Sequence, residues 1–453
     1  MPNTHPHTRA RRLAAALLAV ASAAAAAAGC NDYLTGGDLS VDPNRPVVTT
    51  ASQLFVGIQT NIWALLGSDM ARVTGLWTQQ LAGTNQQYVQ IYNYGRDETT
   101  TNGFYAALYG AGGLADVRDL EARARAAGDS LFLGIAQVQE AVIVGTGADL
   151  FGDIVYSEAL AGTPNPKLDP QLAVYDAVQA LLDDALAGLA SQAAGNAGPG
   201  GADLAYAGDP ARWVRLAHTL KARFYLHTAE VRPGAYAQAL AEARQGLVDP
   251  ADDFGAVFSG IPLQQNYWYQ FDVVQRAGYM GPGPELVSLL EARGDPRLAR
   301  YFNADQSDLA APLIQPNAPQ ALVTAKENLL IWAEAAARAG DDAEARARLD
   351  AARAAQQLGP LPAAAGPALL REILTEKYLA LFQSIEPWND YKRICFPNLA
   401  PIAEGQKVPV RLFYDTAERQ TNTSIPAAID QPFRNANDPA NATDPFGAPC
   451  LGQ

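Results

Sequence analysis

Three kinds of residue in this chain could carry chemistry: acids, histidines, and two segments that mix aromatic rings with side-chain amides. Asp and Glu together number 47, and two carboxylates flanking a glycosidic bond are enough to hydrolyse it. Glu376-Lys377 and Asp390-Tyr-Lys392-Arg393 have the charge of such a site. They stand in no motif that marks an acid–base pair, and they read instead as a structural network tying the last helix to the tail. His218 and His227 fall on one predicted helix, nine residues apart. At about 100° per residue they face opposite ways, so they are expected to be structural and not to share a metal or a proton. No serine nucleophile elbow, zinc helix or phosphate loop is present. The expectation is a protein with no metal, no cofactor and no catalytic activity.

The aromatic segments are the stronger lead. Trp77-Thr-Gln-Gln-Leu-Ala-Gly-Thr-Asn-Gln-Gln-Tyr88-Val-Gln-Ile-Tyr92-Asn-Tyr94 and Asn266-Tyr-Trp268-Tyr269-Gln270 each join rings to amides. A ring face stacks on the C–H face of a sugar, and amides bond its hydroxyls. The candidate ligand-binding residues are therefore Trp77, Tyr88, Tyr92, Tyr94, Asn266, Trp268 and Tyr269. Each ring has the alternative of packing against the scaffold. Trp268 or Tyr269, within three consecutive aromatics in a polar loop, is expected to be exposed.

These segments must be held by helices. Lys326 to Gly340 and Asp341 to Arg353 are two helix-forming runs joined by Gly340-Asp341. Gly suits the left-handed position after a helix and Asp the cap before the next. Ala333, Ala336, Ala343, Ala347 and Ala351 give the small-residue contacts of a tetratricopeptide-type hairpin. Helical spacing recurs over 52–66, 100–127, 131–150, 174–189, 211–231, 236–247 and 369–382. The fold expected is mostly α, a tetratricopeptide-like scaffold of about four helix pairs with a loop-rich substrate-binding portion. The pairs lie within 52–248 and 324–384, a loop-rich insertion occupies 249–322, and the tail 385–453 is loop-rich again.

The N-terminus reads as a targeting segment. Arg9, Arg11 and Arg12 precede the uncharged run Leu13 to Ala28, shorter than the roughly 20 residues that span a bilayer. Ala27-Ala28-Gly29-Cys30 then places small residues before a cysteine, as in a lipoprotein signal. Residues 1–29 are expected to be cleaved, Cys30 to be lipidated, and 30–50 to form a Gly-, Pro- and Asn-rich tether. Of the 3 cysteines, Cys395 and Cys450 remain; in an exported protein a disulfide is favoured over two free thiols. The net charge of −14, or −17 without the three N-terminal arginines, argues against nucleic-acid binding.

Several ordered stretches resemble the SusD/RagB family. They are Ile373-Leu-Thr-Glu376-Lys377, Trp388-Asn-Asp390-Tyr-Lys392-Arg393 and Val408-Pro-Val-Arg411-Leu-Phe-Tyr414, with Glu418 and Asn422 after it. Phe151-Gly-Asp153-Ile-Val-Tyr156 is similar to the family's Phe-Gly-Asp-x-Pro-Tyr turn, with Val155 in the proline position. Trp213, Ala217, Leu220 and Arg223 keep a family helix frame, and Asp295-Pro-Arg297-Leu with Tyr301-Phe302 matches another run. The resemblance implies 51–453 as one SusD-like domain. It further implies a surface lipoprotein of the outer membrane that captures an oligosaccharide or peptide and passes it to a SusC-like TonB-dependent transporter. A tetratricopeptide scaffold that binds only protein is the alternative.

Overall fold

The computed structural model describes residues 49–100, 103–403, 405–439 and 443–452. The expected signal peptide, the lipidation of Cys30 and nearly all of the tether lie outside the described residues. Ala51 to Gln453 folds as one unit, and among its described residues it is mostly helical.

Helix hairpins form the frame. Leu114–Ala127 turns back through Gly128-Asp129 into Ser130–Phe151, which packs against Gln171–Leu189. Pro210–His227 pairs with Ala235–Ala243, and Ala325–Arg338 with Asp342–Ala354. Gly366–Ala380 and Glu386–Ile394 complete the stack. The Gly340-Asp341 junction forms as its residue types demand. Gly340 has φ +80°, its N–H reaches the Ala337 carbonyl, and the Asp341 N–H reaches that of Ala336; this bond pair closes a helix C-terminus. The Asp341 carboxylate then accepts the Glu344 N–H and starts the next helix.

Ser130–Phe151 is long and apolar enough to cross a membrane, but it is buried through most of its length and serves as the core helix. Gly145 on this helix seats Phe224 of the next pair. A methyl group there would stand 2.2 Å from the Phe224 ring. The predicted run 100–127 is two helices, Phe104–Tyr109 and Leu114–Ala127. The break falls at Gly110-Ala-Gly-Gly113, where Gly112 has φ +75° and a Cβ on Gly113 would meet carbonyl oxygens at 2.7 Å.

The 249–322 insertion carries more order than its composition suggests. Phe254–Ala256 pairs antiparallel with Gln320–Val323, clasping its two ends. The helix Pro284–Ala292 and the short helix Arg297–Tyr301 lie within it. Arg297 binds Asp295 on one side and Glu376 of the scaffold on the other (2.7 and 2.6 Å), which pins the insertion to the frame. A second buried knot joins Glu334 to Lys377 and Arg393, both of which also reach Asp390, each contact at 2.8 Å. The charged runs at 376–377 and 390–393 are thus structural links with satisfied partners. Cys395 and Cys450 are joined, their Cα atoms 6.1 Å apart, tying the tail to the end of the Glu386–Ile394 helix.

Candidate functional site

The two aromatic segments do converge, because a short sheet brings them together. Leu81–Gly83 pairs antiparallel with Met280–Pro282. Across this joint the rings meet each other: Tyr88 lies 5.0 Å from Phe271 and 6.2 Å from Tyr279. Arg72, buried beneath, rests 4.4 Å over Phe271. Burial pushes Arg72 down to about 10. Burial and the neighbouring Asp308 push the Asp272 carboxyl well above the usual carboxylate range.

Burial removes several of the expected ligand-binding residues from the surface. Trp77 is fully buried against Trp388 (5.9 Å), with its Nε1 donating to the Ile91 carbonyl. Trp268 is also core rather than exposed, its Nε1 donating to the Gly67 carbonyl at 2.9 Å. The cause lies in Asn266. Its carboxamide oxygen accepts the N–H groups of Trp268 and Tyr269, and its Nδ2 donates to Ala318. Asn266 is therefore a buried cap that starts a helical turn and drives the middle ring inward. Tyr94 is buried, and its hydroxyl accepts from Gln79 (2.8 Å), with burial lifting it to about 12. Tyr88 is nearly buried, while Tyr92 and Tyr269 are half-buried. His227 is buried between Asp149 and Glu386 (2.7 and 2.9 Å), and His218 separately contacts Glu242 at 2.6 Å.

The surface around the first segment nonetheless forms a cleft of about 730 Å³. Its wall is the helix Gln87–Tyr92 and the turn that follows. Gln87, Gln90 and Asn93 are exposed along it, and Gln406 faces them from the tail. Asp97 closes one side: its carboxylate accepts the backbone N–H and hydroxyl groups of Thr99 and Thr100, which hold it below the usual carboxylate range. Asp69, which also lines the cleft, is paired with Arg72. The half-buried ring of Phe104 lines the same space. Such a surface offers neutral donors and acceptors with rings at the base, which matches polyhydroxyl ligands. Of the candidate rings of the first segment only Tyr88 lines this cleft; the amides Gln87, Gln90 and Asn93 supply more of its wall. Gln87 and Gln90, three residues apart, share one helix face, and that spacing was the available signal.

A second cleft of about 520 Å³ lies by the insertion, lined by Trp63, Phe258 and Tyr267. Leu263 at its rim is 99% exposed. The two clefts differ in chemistry: the first is rich in amides and charged groups, whereas the second sets Gln264 and Gln265 among more apolar residues.

Residues 43–312 match the model of a family described as starch-binding and associating with the outer membrane, SusD-like. Among solved structures, a SusD/RagB family protein from Bacteroides thetaiotaomicron superposes with a TM-score of 0.72 at 20% identity, over 85% of this chain and 97% of that one. A chitin-binding SusD homologue from Flavobacterium johnsoniae gives 0.71 at 19% identity, over 86% of this chain and 99% of that one. A Bacteroides vulgatus protein described as a putative outer-membrane protein, probably involved in nutrient binding, gives 0.69 at 18%, over 89% and 100%. No curated protein matches the chain.

Proposed function

Because this chain belongs to the SusD/RagB family, we propose that it captures an oligosaccharide in the amide-lined cleft walled by Gln87–Tyr92, without catalysis. The observation that carries this reading is the cleft wall itself: Gln87, Gln90, Asn93 and Gln406 present amides in one cleft with the half-buried ring of Phe104. The two acids on that wall each hold a partner, a state suited to orienting hydroxyls and not to transferring protons. The chitin-binding relative supports a glycan over a peptide.

In this reading Cys30 carries the lipid that holds the protein on the outer face of the outer membrane. Acyl chains contribute about 0.8 kcal/mol per buried CH₂, so more than one chain is needed for a stable anchor. The captured ligand passes to a SusC-like TonB-dependent transporter, with this protein acting as its lid and the helical back of the body against the barrel. A ligand enclosed by both partners stabilises the closed state.

The test is a glycan screen of the full chain by affinity electrophoresis, repeated with Asn93→Ala, Gln90→Ala and Trp77→Ala. The first two are expected to lose retention with unchanged circular dichroism, whereas Trp77→Ala loses fold. Retention that survives both amide variants, or cleavage of any retained glycan, would overturn the proposal. Co-purification of the membrane complex without a large β-barrel would count against the transporter.

A further inference from the structure

The cleft continues at one end into a cavity of about 390 Å³, and Arg96 lines both. The Arg96 guanidinium lies 4.6 Å from the Phe413 ring centre and 5.0 Å from that of Phe433. It donates to the backbone carbonyl of Arg411. Arg411, buried directly behind, donates to the Gln431 amide at 3.1 Å and rests on Tyr414. Lys407 is exposed at the mouth, with Nζ 5.8 Å from the Phe433 ring. Among the described residues none of these three cations has a carboxylate within ion-pair distance. Burial and the like charge of Arg411 push Arg96 down to about 10. Among its described residues the pocket is therefore short of negative charge.

That shortage is out of character for the chain, whose net charge is −14. Of the acids in the adjoining cleft, Asp69 is paired with Arg72, and Asp97 stays ionised but turns its carboxylate to Thr99 and Thr100 and forms no ion pair with Arg96. A guanidinium with unused N–H groups presents a planar fork that fits a carboxylate or a sulfate. Two phenylalanine rings beside it offer faces and edges to a sugar ring.

We propose that this end of the cleft binds the anionic group of an acidic sugar, a uronate carboxylate or a sulfate ester, on Arg96 and Lys407, with the ring against Phe413 and Phe433. The proposal rests on the glycan-capture reading and narrows it to acidic glycans.

The experiment is calorimetric titration of the full chain with trigalacturonate, a sulfated galactan trisaccharide, and the neutral maltotriose and chitotriose. Each is run on the wild type, Lys407→Gln and Arg96→Gln. At least one acidic sugar should bind about tenfold more tightly than the neutral ones, which is 1.4 kcal/mol. The preference should shrink as salt is added and vanish in Lys407→Gln, whose exposed side chain can change without disturbing the fold. Trigalacturonate alone would identify a uronate, the sulfated sugar alone a sulfate ester. Neutral sugars binding as tightly as acidic ones, or an acidic preference unchanged in Lys407→Gln, overturns the anion site and leaves glycan capture standing. Failure of all four sugars overturns both.

Discussion

Glu334 is where the frame should be most sensitive to a single charge. It is fully buried and accepts from Lys377 (2.8 Å) and twice from Arg393 (2.8 and 3.0 Å), joining three helices. Burial alone would raise its carboxyl, but Arg393 and Lys377 overcome that and hold it at about 2 against an ordinary 4.5. At 1.36 kcal/mol per pH unit, the fold favours the ionised form by about 3 kcal/mol. Glu334→Gln keeps the shape and removes the charge. Lys377 is then left with Asp390, and Arg393 with Asp390 and the more distant Glu230. Removing one partner of a buried pair costs about 3–5 kcal/mol, in agreement with the first figure. Urea unfolding followed by tryptophan fluorescence should show a loss of about 3 kcal/mol at neutral pH. Glu334→Gln with Lys377→Met, which withdraws a cation as well, should recover part of it. Because the folded value is depressed, the stabilisation is present above pH 4.5 and disappears as pH falls towards 2. The variant should therefore approach the wild type in acid. A loss below about 1 kcal/mol, the size of a surface pair, would refute the reasoning.

Three more outcomes are expected. Gly145→Ala places a methyl 2.2 Å from the Phe224 ring; it should destabilise by about 1–3 kcal/mol, relieved by Phe224→Leu and read by thermal unfolding. The imidazole of His227, which burial would lower but Asp149 and Glu386 raise to about 9, should titrate near that value by NMR, not near 6.5. Its charge contributes stability fully below pH 6.5, and the contribution is lost as pH rises through 9. Cys450→Ser opens a loop with a sequence separation of 55; it should cost up to about 4 kcal/mol in the chain-entropy limit, seen as a lower urea midpoint under oxidising conditions only.

Local chemistry made the frame readable. Gly340-Asp341 ends one helix and caps the next through bonds that residue type alone dictates, and the apolar spacing of 131–150 becomes a buried helix one residue longer at each end. The site was less legible because ring direction depends on tertiary contacts. Nothing local shows that Asn266 will cap a turn and send Trp268 to the Gly67 carbonyl, or that Trp77 will meet Trp388 from more than 300 residues away. The meeting of the two aromatic segments was not legible in the residues either. Their joint at Leu81–Gly83 and Met280–Pro282 is too short for any strand signal. Arg96, Lys407 and Phe433 come together from opposite ends of the sequence, and only the folded chain makes them neighbours.

The most direct measurement is hydrogen–deuterium exchange of the full chain with and without the oligosaccharide that the screen retains. Slowed exchange is expected over 87–100 and 405–407, the two sides of the amide-lined cleft, with the rest of the body unchanged. Slowed exchange confined to 257–267, at the more apolar cleft, or to the outer helices of the scaffold would contradict capture in the amide-lined cleft.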